Sequence, residues 1–268
     1  MNYPTVPVMG YNVYSAELNQ LELTQGKTII NTINAYSYVI ACKDVEFRKA
    51  LNQSDILIAD GFPIVLAAKT LHNYIIHKIA GDDIFHYLLK KLNHSSGSCF
   101  FLGSSEETLT RIANNLKNDY PRVNAGYFSP PFKKKFQPEE NNAMIESINA
   151  FCPDILFVGM TAPKQEIWVY ENHPFINAKV LCSIGAVFDF YAGTVHRPSE
   201  FWISWKLEWL IRFLKEPRRL WKRYFIYTPQ FFFHLFKHKF YYSDKKNYKS
   251  EIKSLASTKN SDSNREKS

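Results

Sequence analysis

The chain has 268 residues, is 46% hydrophobic and 16% aromatic, and carries a formal charge of +8, a size that accommodates one large α/β domain and an appendage. The charge is concentrated: residues 197–249 hold 13 Lys and Arg against 4 Asp and Glu, which leaves the rest near neutrality and predicts a neutral domain with a basic extension. No run of 18 apolar residues, no secretory leader in residues 1–15 and no zinc spacing among Cys42, Cys99, Cys152 and Cys182 argue against a membrane-spanning or disulfide-bonded chain, and predict a cytoplasmic protein with small buried thiols whose membrane contact is peripheral.

Lys27 to Ile33 reads as a strand, followed from Asn34 to Ala41 by a loop or helix start. Asp44 to Ser54 has helical spacing, and the apolar run Asp55 to Ala59 predicts a second strand that ends at Asp60-Gly61. Pro63 to Leu71 is predicted helical, as is Asp82 to Leu92, with Ile84, Phe85, Leu88, Leu89 and Leu92 on one side. Ser98 to Leu102 is a strand that stops at Gly103-Ser104-Ser105, and Glu106 to Tyr120 is a helix. A short strand from Val123 to Phe128 ends before Pro130-Pro131, and Glu139 to Phe151 is another helix. Ile155 to Val158 and Val180 to Ile184 complete the strands. Strands alternating with helices predict an α/β fold, a parallel sheet with helices on both faces. From Ser243 onward few apolar residues remain and a disordered tail is expected.

Ligands of open α/β sheets bind at the carboxyl ends of the strands, so the residues there are the candidates. Ile155 to Val158 runs into the loop Gly159 to Pro163, and Lys164, Gln165 and Glu166 follow, a cation, an amide and a carboxylate together. A Pro-started helix with a charged first turn accounts for them equally. Asp60 stands at the end of the second strand, where a carboxylate acts as a general base if burial raises its pKa, or as a helix cap or turn residue. Thr32 and Asn34 end the first strand and either bind a ligand or cap a helix. Gly103 and the two serines after it let backbone N–H groups approach a phosphate, or make an ordinary cap. G-x-G-x-x-G and the P-loop pattern are both missing. D-x-D is missing too, and no histidine spacing suggests a metal site, so a sugar-nucleotide enzyme of this sequence is expected to work without metal or other cofactor.

Residues 201–242 contain 16 aromatics and four of the five tryptophans. Trp202, Trp205 and Trp209 recur at helical spacing, interleaved with Lys206, Arg212, Lys215, Arg218, Arg219, Lys222 and Arg223, and Pro217 divides the segment into two helices. Aromatic rings favour the lipid headgroup layer and cations favour anionic lipid. Nucleic acid is the competing partner for a basic, aromatic surface. The Phe231-Phe232-Phe233 cluster speaks against it, so a membrane surface is the expected partner and nucleic acid is not.

The blocks T-I-N at 32–34, A-D-G at 59–61, G-D-D at 81–83, F-L-G at 101–103, A-P-K-Q-E at 162–166, G-A-V-F-D-F-Y-A-G at 185–193, R-P at 197–198 and E-W-L-I-R-F-L-K-E-P-R-R-L-W-K-R-Y at 208–224 occur in this order. The series resembles the WecG/TagA/CpsF family, glycosyltransferase family 26. The resemblance implies a Rossmann-like core over residues 1–197, a membrane-associating helical appendage over 198–242 and a tail over 243–268. It implies transfer of a sugar, with inversion, from a UDP-sugar to a saccharide on a polyprenyl diphosphate. It places the base on Asp60 and substrate contacts on Thr32, Asn34 and Gln165, with Gly81, Asp82, Gly103, Lys164 and Asp189 inside its motifs; Gly159, in the strand-end loop before A-P-K-Q-E, is a further candidate substrate contact. It places diphosphate contacts on Arg212, Arg219 and Arg223. Members also self-associate through the core with the appendage displaced, which makes a homo-oligomer an expected partner state. The chain departs from the family at Lys78, where an arginine is usual and its bidentate contact is lost, and at Phe62-Pro63 after the A-D-G block. Two readings of other classes stand beside it: a non-catalytic nucleotide-binding protein at the membrane, and a nucleic-acid binder using the basic tail.

Overall fold

The computed structural model describes residues 3–23, 26–195 and 208–240. An antiparallel hairpin comes first, β1 (Thr5–Val8) and β2 (Tyr11–Tyr14). Its turn residues Met9 and Gly10 have φ of 49° and 90°, the positive values that a two-residue hairpin turn needs. Sequence reading assigned no element here, because Pro7 interrupts the first strand and a methionine is a poor signal for positive φ. The hairpin buries Val8, Tyr11 and Val13 against the core.

Six parallel strands follow: β3 (Thr28–Ile33), β4 (Ile56–Ala59), β5 (Ser98–Gly103), β6 (Asn124–Phe128), β7 (Ile155–Gly159) and β8 (Val180–Ser183). They lie in the order β4-β3-β8-β7-β5-β6, every pair parallel. The helices between them are α1 (Ala35–Ala41), α2 (Val45–Asn52), α3 (Phe62–His72), α4 (Gly81–Ser95), α5 (Glu106–Asp119), α6 (Pro138–Phe151), α7 (Lys164–Asn172) and α8 (Val187–Tyr191). The expected α/β sheet with helices on both faces is therefore present. Strand periodicity divides its side chains. Ile30, Ile58, Phe101, Phe157 and Cys182 pack with α4, α5 and α8 on one face. Alternate residues such as Leu102, Leu156 and Leu181 pack with α6 and α7 on the other, where Ile33 and Leu57 meet α1 to α3. Carboxylates fix the amino ends of the strands: Asp55 accepts from the Ile29 amide at 2.7 Å and Asp154 from the Ser98 amide at 2.9 Å.

The thiols divide two ways. Cys99 and Cys182 are buried in strands, whereas Cys42 and Cys152 are exposed, because each of these two caps the carboxyl end of a helix, α1 and α6.

Beyond residue 207 the chain forms α9 (Glu208–Lys215) and α10 (Pro217–Lys222), divided at Pro217 as expected. A π-helical segment, Arg223–Tyr227, leads into α11, residues 228–240. Phe231 and Leu235 of α11 are buried with Tyr38 and Val39 of α1. Phe231 was expected to belong to a lipid-facing cluster. Instead it packs edge-on to Tyr38 with ring centroids 5.3 Å apart, an i, i+4 pair with Leu235 that anchors the helix to the core. Arg197, Trp202, Trp205, Lys206 and the tail from Ser243 lie outside the described residues. Among those described, no helix is long and apolar enough to cross a membrane.

Candidate active site at the carboxyl rim

The strand ends form one row in sheet order: Asp60 after β4, Asn34 after β3, Gly185 after β8, Gly159 at β7 and Gly103 at β5. After β5 the chain runs outward to β6, and after β7 it returns toward β8. The two loops therefore diverge at a topological switch point, where ligands of such sheets bind.

Asp60 is not a helix cap. The cap of α3 is Gly61, with no side-chain hydrogen bond, and Pro63 occupies the first turn. The Asp60 backbone amide is held by the Ile33 carbonyl at 2.9 Å, which leaves its half-buried carboxylate at the rim. Asn34 caps a helix, one of its two expected roles, and also reaches Asp60. Its Oδ1 accepts from the Ser37 amide at 3.0 Å and caps α1, and its Nδ2 donates to Asp60 Oδ2 at 3.4 Å. The cap consumes the amide oxygen and so directs the NH2 group at the carboxylate. Thr32 is half-buried and shares the strand face of Asn34. Ile79 donates its amide to the Ala59 carbonyl at 3.1 Å, and this tether places exposed Lys78 beside the strand end that carries Asp60.

The K-Q-E trio does not converge. Lys164 turns to the loop before α6, donating to the Lys133 carbonyl with its ammonium 3.6 Å from the Phe136 ring centroid. Loss of solvent there lowers its pKa. Gln165 and Glu166 are instead buried, 3% and 2% exposed. Gln165 Nε2 donates to Glu166 Oε1 at 2.9 Å. Burial pushes the Glu166 carboxyl up to about 7, against that hydrogen bond. Among the described residues, Gln165 Oε1 and Glu166 Oε2 have no hydrogen-bond partner, and neither do Asn31 Oδ1 and Ser183 Oγ.

Gly103 and Gly159 pair across β5 and β7 with no room for a side chain. A Cβ on Gly103 would lie 2.6 Å from the Gly159 carbonyl oxygen, and one on Gly159 2.3 Å from the Phe188 ring. The ordinary-cap reading of the Gly103 block holds, since Ser105 caps α5 through the Thr108 amide at 3.2 Å. Gly81 packs where a Cβ would be 3.2 Å from Val187. Asp82 sits in the first turn of α4, 3.8 Å from His86 Nε2. Asp189 is half-buried in α8, and its backbone carbonyl accepts from the Val195 amide at 3.1 Å.

Arg223 reaches the rim. Its guanidinium lies 5.5 Å from the ring centroid of Tyr36, and Tyr227 stacks edge-on against the same ring at 5.1 Å. Burial, then the Tyr227 hydroxyl, raises the Tyr36 pKa, while Arg223 lowers it and Glu166 raises it. Sequence reading did not single out Tyr36; its position two residues after Asn34, in the first turn of α1, is the only signal it offers. Arg212 and Arg219 lie on α9 and α10, their side chains outside the described residues. The outer surface of this region exposes Trp209, Leu214, Trp221 and Phe225, and α11 exposes Phe233, Phe236 and Phe240, a patch of the kind that marks interaction surfaces. Among the described residues no cluster of three or more His, Cys, Asp or Glu is placed to hold a metal ion.

A family model described as the glycosyl transferase WecG/TagA/CpsF family matches residues 6–245. Two curated proteins are similar, both called N-acetylglucosaminyldiphosphoundecaprenol N-acetyl-beta-D-mannosaminyltransferase. The one from Bacillus spizizenii strain W23 is 27% identical over 207 residues, 77% of this chain and 78% of that protein. The one from Bacillus subtilis strain 168 is 26% identical over 195 residues, 73% of this chain and 74% of that protein.

Proposed function

The chain belongs to the WecG/TagA/CpsF family and is a glycosyltransferase, and from that premise we propose that it transfers N-acetylmannosamine or a related hexose, with inversion, from a UDP-sugar to a polyprenyl-diphosphate-linked saccharide in the synthesis of a cell-surface polysaccharide. The activity for which the relatives are named supports an acceptor that carries N-acetylglucosamine on the lipid diphosphate. The observation that carries the reading is the Asp60 carboxylate, free of capping duty at the rim and facing the Asn34 amide.

In this reaction Asp60 takes the proton of the acceptor hydroxyl as its oxygen attacks the anomeric carbon. The bond from that carbon to the diphosphate breaks on the opposite face, and UDP leaves with the electron pair. Asn34 holds the carboxylate in place, since its own orientation is fixed by the α1 cap. Negative charge grows on the departing diphosphate, and Arg223, with Arg212 and Arg219 from the preceding helices, supplies the cationic donors. The Gly103–Gly159 pair lets β5, β7 and the Phe188 ring pack closely at the switch point. The exposed aromatics of the C-terminal helices, interleaved with cations, seat the enzyme on the inner face of the plasma membrane, where a lipid-linked acceptor is presented. The absence of D-x-D supports a reaction that needs no metal.

The test is a screen of UDP-sugars against N-acetylglucosamine on a short polyprenyl diphosphate, reading UDP release and product with and without EDTA. UDP release that depends on both substrates and survives EDTA is expected. No release from any UDP-sugar, with activity on another nucleotide sugar, refutes the donor class.

A further inference from the structure

We propose that Glu166 is a positioning residue for sugar transfer: it binds the Gln165 amide from inside the fold and turns Gln165 Oε1 toward the rim at Gly185, where that oxygen accepts a hydrogen bond from an N–H or O–H group of the sugar nucleotide. The proposal rests on the transferase reading above.

Three features of the site support it. The first is the hydrogen bond itself. Gln165 Nε2 lies 2.9 Å from Glu166 Oε1. A carboxylate only accepts, so this partner selects the NH2 end of the amide and leaves the oxygen on the other side. The second is what the oxygen faces. Gln165 Oε1 is buried and has no partner among the described residues, a costly state for a polar atom unless a ligand or water supplies one. An added Cβ at Gly185 would lie 3.3 Å from Oε1 and 3.4 Å from Nε2. The amide therefore lies directly against Gly185, with no Cβ between it and the rim because residue 185 has no side chain. The third is the neighbourhood. Gly185 follows β8, and β8 is flanked by β3, which carries Asn34, and by β7, which leads to α7. Glu166 also acts electrostatically on Tyr36, the ring beneath Arg223. The pair thus lies one strand away from the Asn34 that holds the candidate base. A buried carboxylate with one unpartnered oxygen is a liability for the fold alone.

The experiment compares Gln165→Ala, Glu166→Met, Glu166→Gln and the double variant Q165A/E166M in the full-length chain. It measures kcat/KM for the donor, calorimetric binding of the UDP-sugar, and Tm. Methionine fills the space without accepting the bond; glutamine presents an oxygen at the same place. E166M should lose about ten-fold or more in kcat/KM, the scale of one lost hydrogen bond with its partner left unpaired. E166Q should stay within about three-fold of wild type. In the Q165A background E166M should have no further effect, because Glu166 acts through Gln165. An equal E166M loss with and without Gln165 overturns the proposal, as does an E166Q loss as large as that of E166M.

Should E166M not fold, E166Q and Q165A carry the test in their place: a fall in E166Q as large as that in Q165A then refutes the proposal. If wild-type protein neither binds nor uses a UDP-sugar, the donor assignment has failed rather than this link. The link is then read in the free protein from the side-chain ¹⁵N–¹H resonances of Gln165, identified by their loss in Q165A. They should move in E166M, and an unmoved pair refutes it.

Discussion

Gly159→Ala tests whether the switch point depends on a missing side chain. A Cβ at residue 159 would lie 2.3 Å from Phe188 Cδ2 and 2.5 Å from both Cε2 and Cγ, whereas carbon atoms attract only from about 3.5 Å outward. The ring must retreat by about 1 Å. It has nowhere to go, since Phe188 is 1% exposed and its ring centroid is 5.5 Å from that of Phe101. Overpacking of a filled core costs about 1–3 kcal/mol. For a chain of this size each kcal/mol lowers Tm by about 2–4 °C, so a loss of about 4–8 °C is expected for a cost near 2 kcal/mol. Gly103→Ala should lose more, because its Cβ meets the Gly159 backbone oxygen at 2.6 Å and φ there is +116°, so a strained residue presses on an immobile sheet. Gly26→Ala is the control, with nothing within 4 Å of its Cβ and no positive φ. Thermal unfolding followed by circular dichroism reads all three, and Phe188→Leu added to Gly159→Ala should restore part of the loss. A Gly159→Ala protein within 1 °C of wild type, by the about 2–4 °C per kcal/mol conversion, would show that the rim relaxes freely and would refute the reasoning.

Four further outcomes are expected. Asp60→Asn should cut turnover by about 10²–10⁴ while UDP-sugar affinity stays within a few-fold; turnover above about a third of wild type removes Asp60 as the base. Glu166→Gln should raise Tm at alkaline pH. The folded carboxyl has its pKa raised from 4.5 to about 7, so the folded state binds the proton more tightly, stability is greatest below 4.5 and it declines as pH rises toward 7. Removing the charge recovers on the order of 3 kcal/mol above that range and nothing near pH 4.5, and a Tm difference that does not change with pH contradicts it. Replacing exposed Phe233, Phe236 and Phe240 together by serine should abolish binding to anionic vesicles with little change in Tm, whereas Phe231→Ala, a fully buried ring, should cost about 3–5 kcal/mol of stability; vesicle binding that survives the triple change removes α11 as a membrane surface. Arg223→Ala should slow transfer to a water-soluble short-chain acceptor by an amount equivalent to about 3–4 kcal/mol, the scale of one lost donor to a developing oxyanion, and wild-type rates on that acceptor would leave Arg223 as a membrane contact alone.

The sheet was legible because its strands are short apolar runs bounded by turn residues, and period-two burial is enforced by helices on both faces. Every strand of the parallel sheet lies within a residue or so of its expected bounds. The hairpin was not legible, since four-residue strands containing a proline carry little periodic signal. At the site, position was readable and pairing was not. Asp60, Asn34 and Gln165 all stand at strand ends or helix starts, where linear order gives the elements. The use of Asn34 Oδ1 as a cap, which aims Nδ2 at Asp60, depends on two strands lying side by side. Lys164 shows the converse. One residue from Gln165 in sequence, it points about a third of a helical turn away and is taken by a loop more than 25 residues distant.

The appendage was harder still, because composition does not say which face of a helix meets the core. Residues 231 and 235 of α11 face inward, and residues 233, 236 and 240 face outward; both sets are aromatic or aliphatic, so the sequence reads as one apolar block. The division is set by the register with which the helix leaves Arg223–Tyr227. A π turn holds an extra residue, and each residue rotates the following helix by about 100°. That segment also delivers Arg223 and Tyr227 to Tyr36, directly beyond Asn34 in the chain. One local feature of the backbone therefore sets both which rings face outward and which cation reaches the rim. Tyr36 stands two residues after Asn34, whose amide holds the Asp60 carboxylate, so the register that turns the rings outward also brings a cation to the strand end that carries the proposed base.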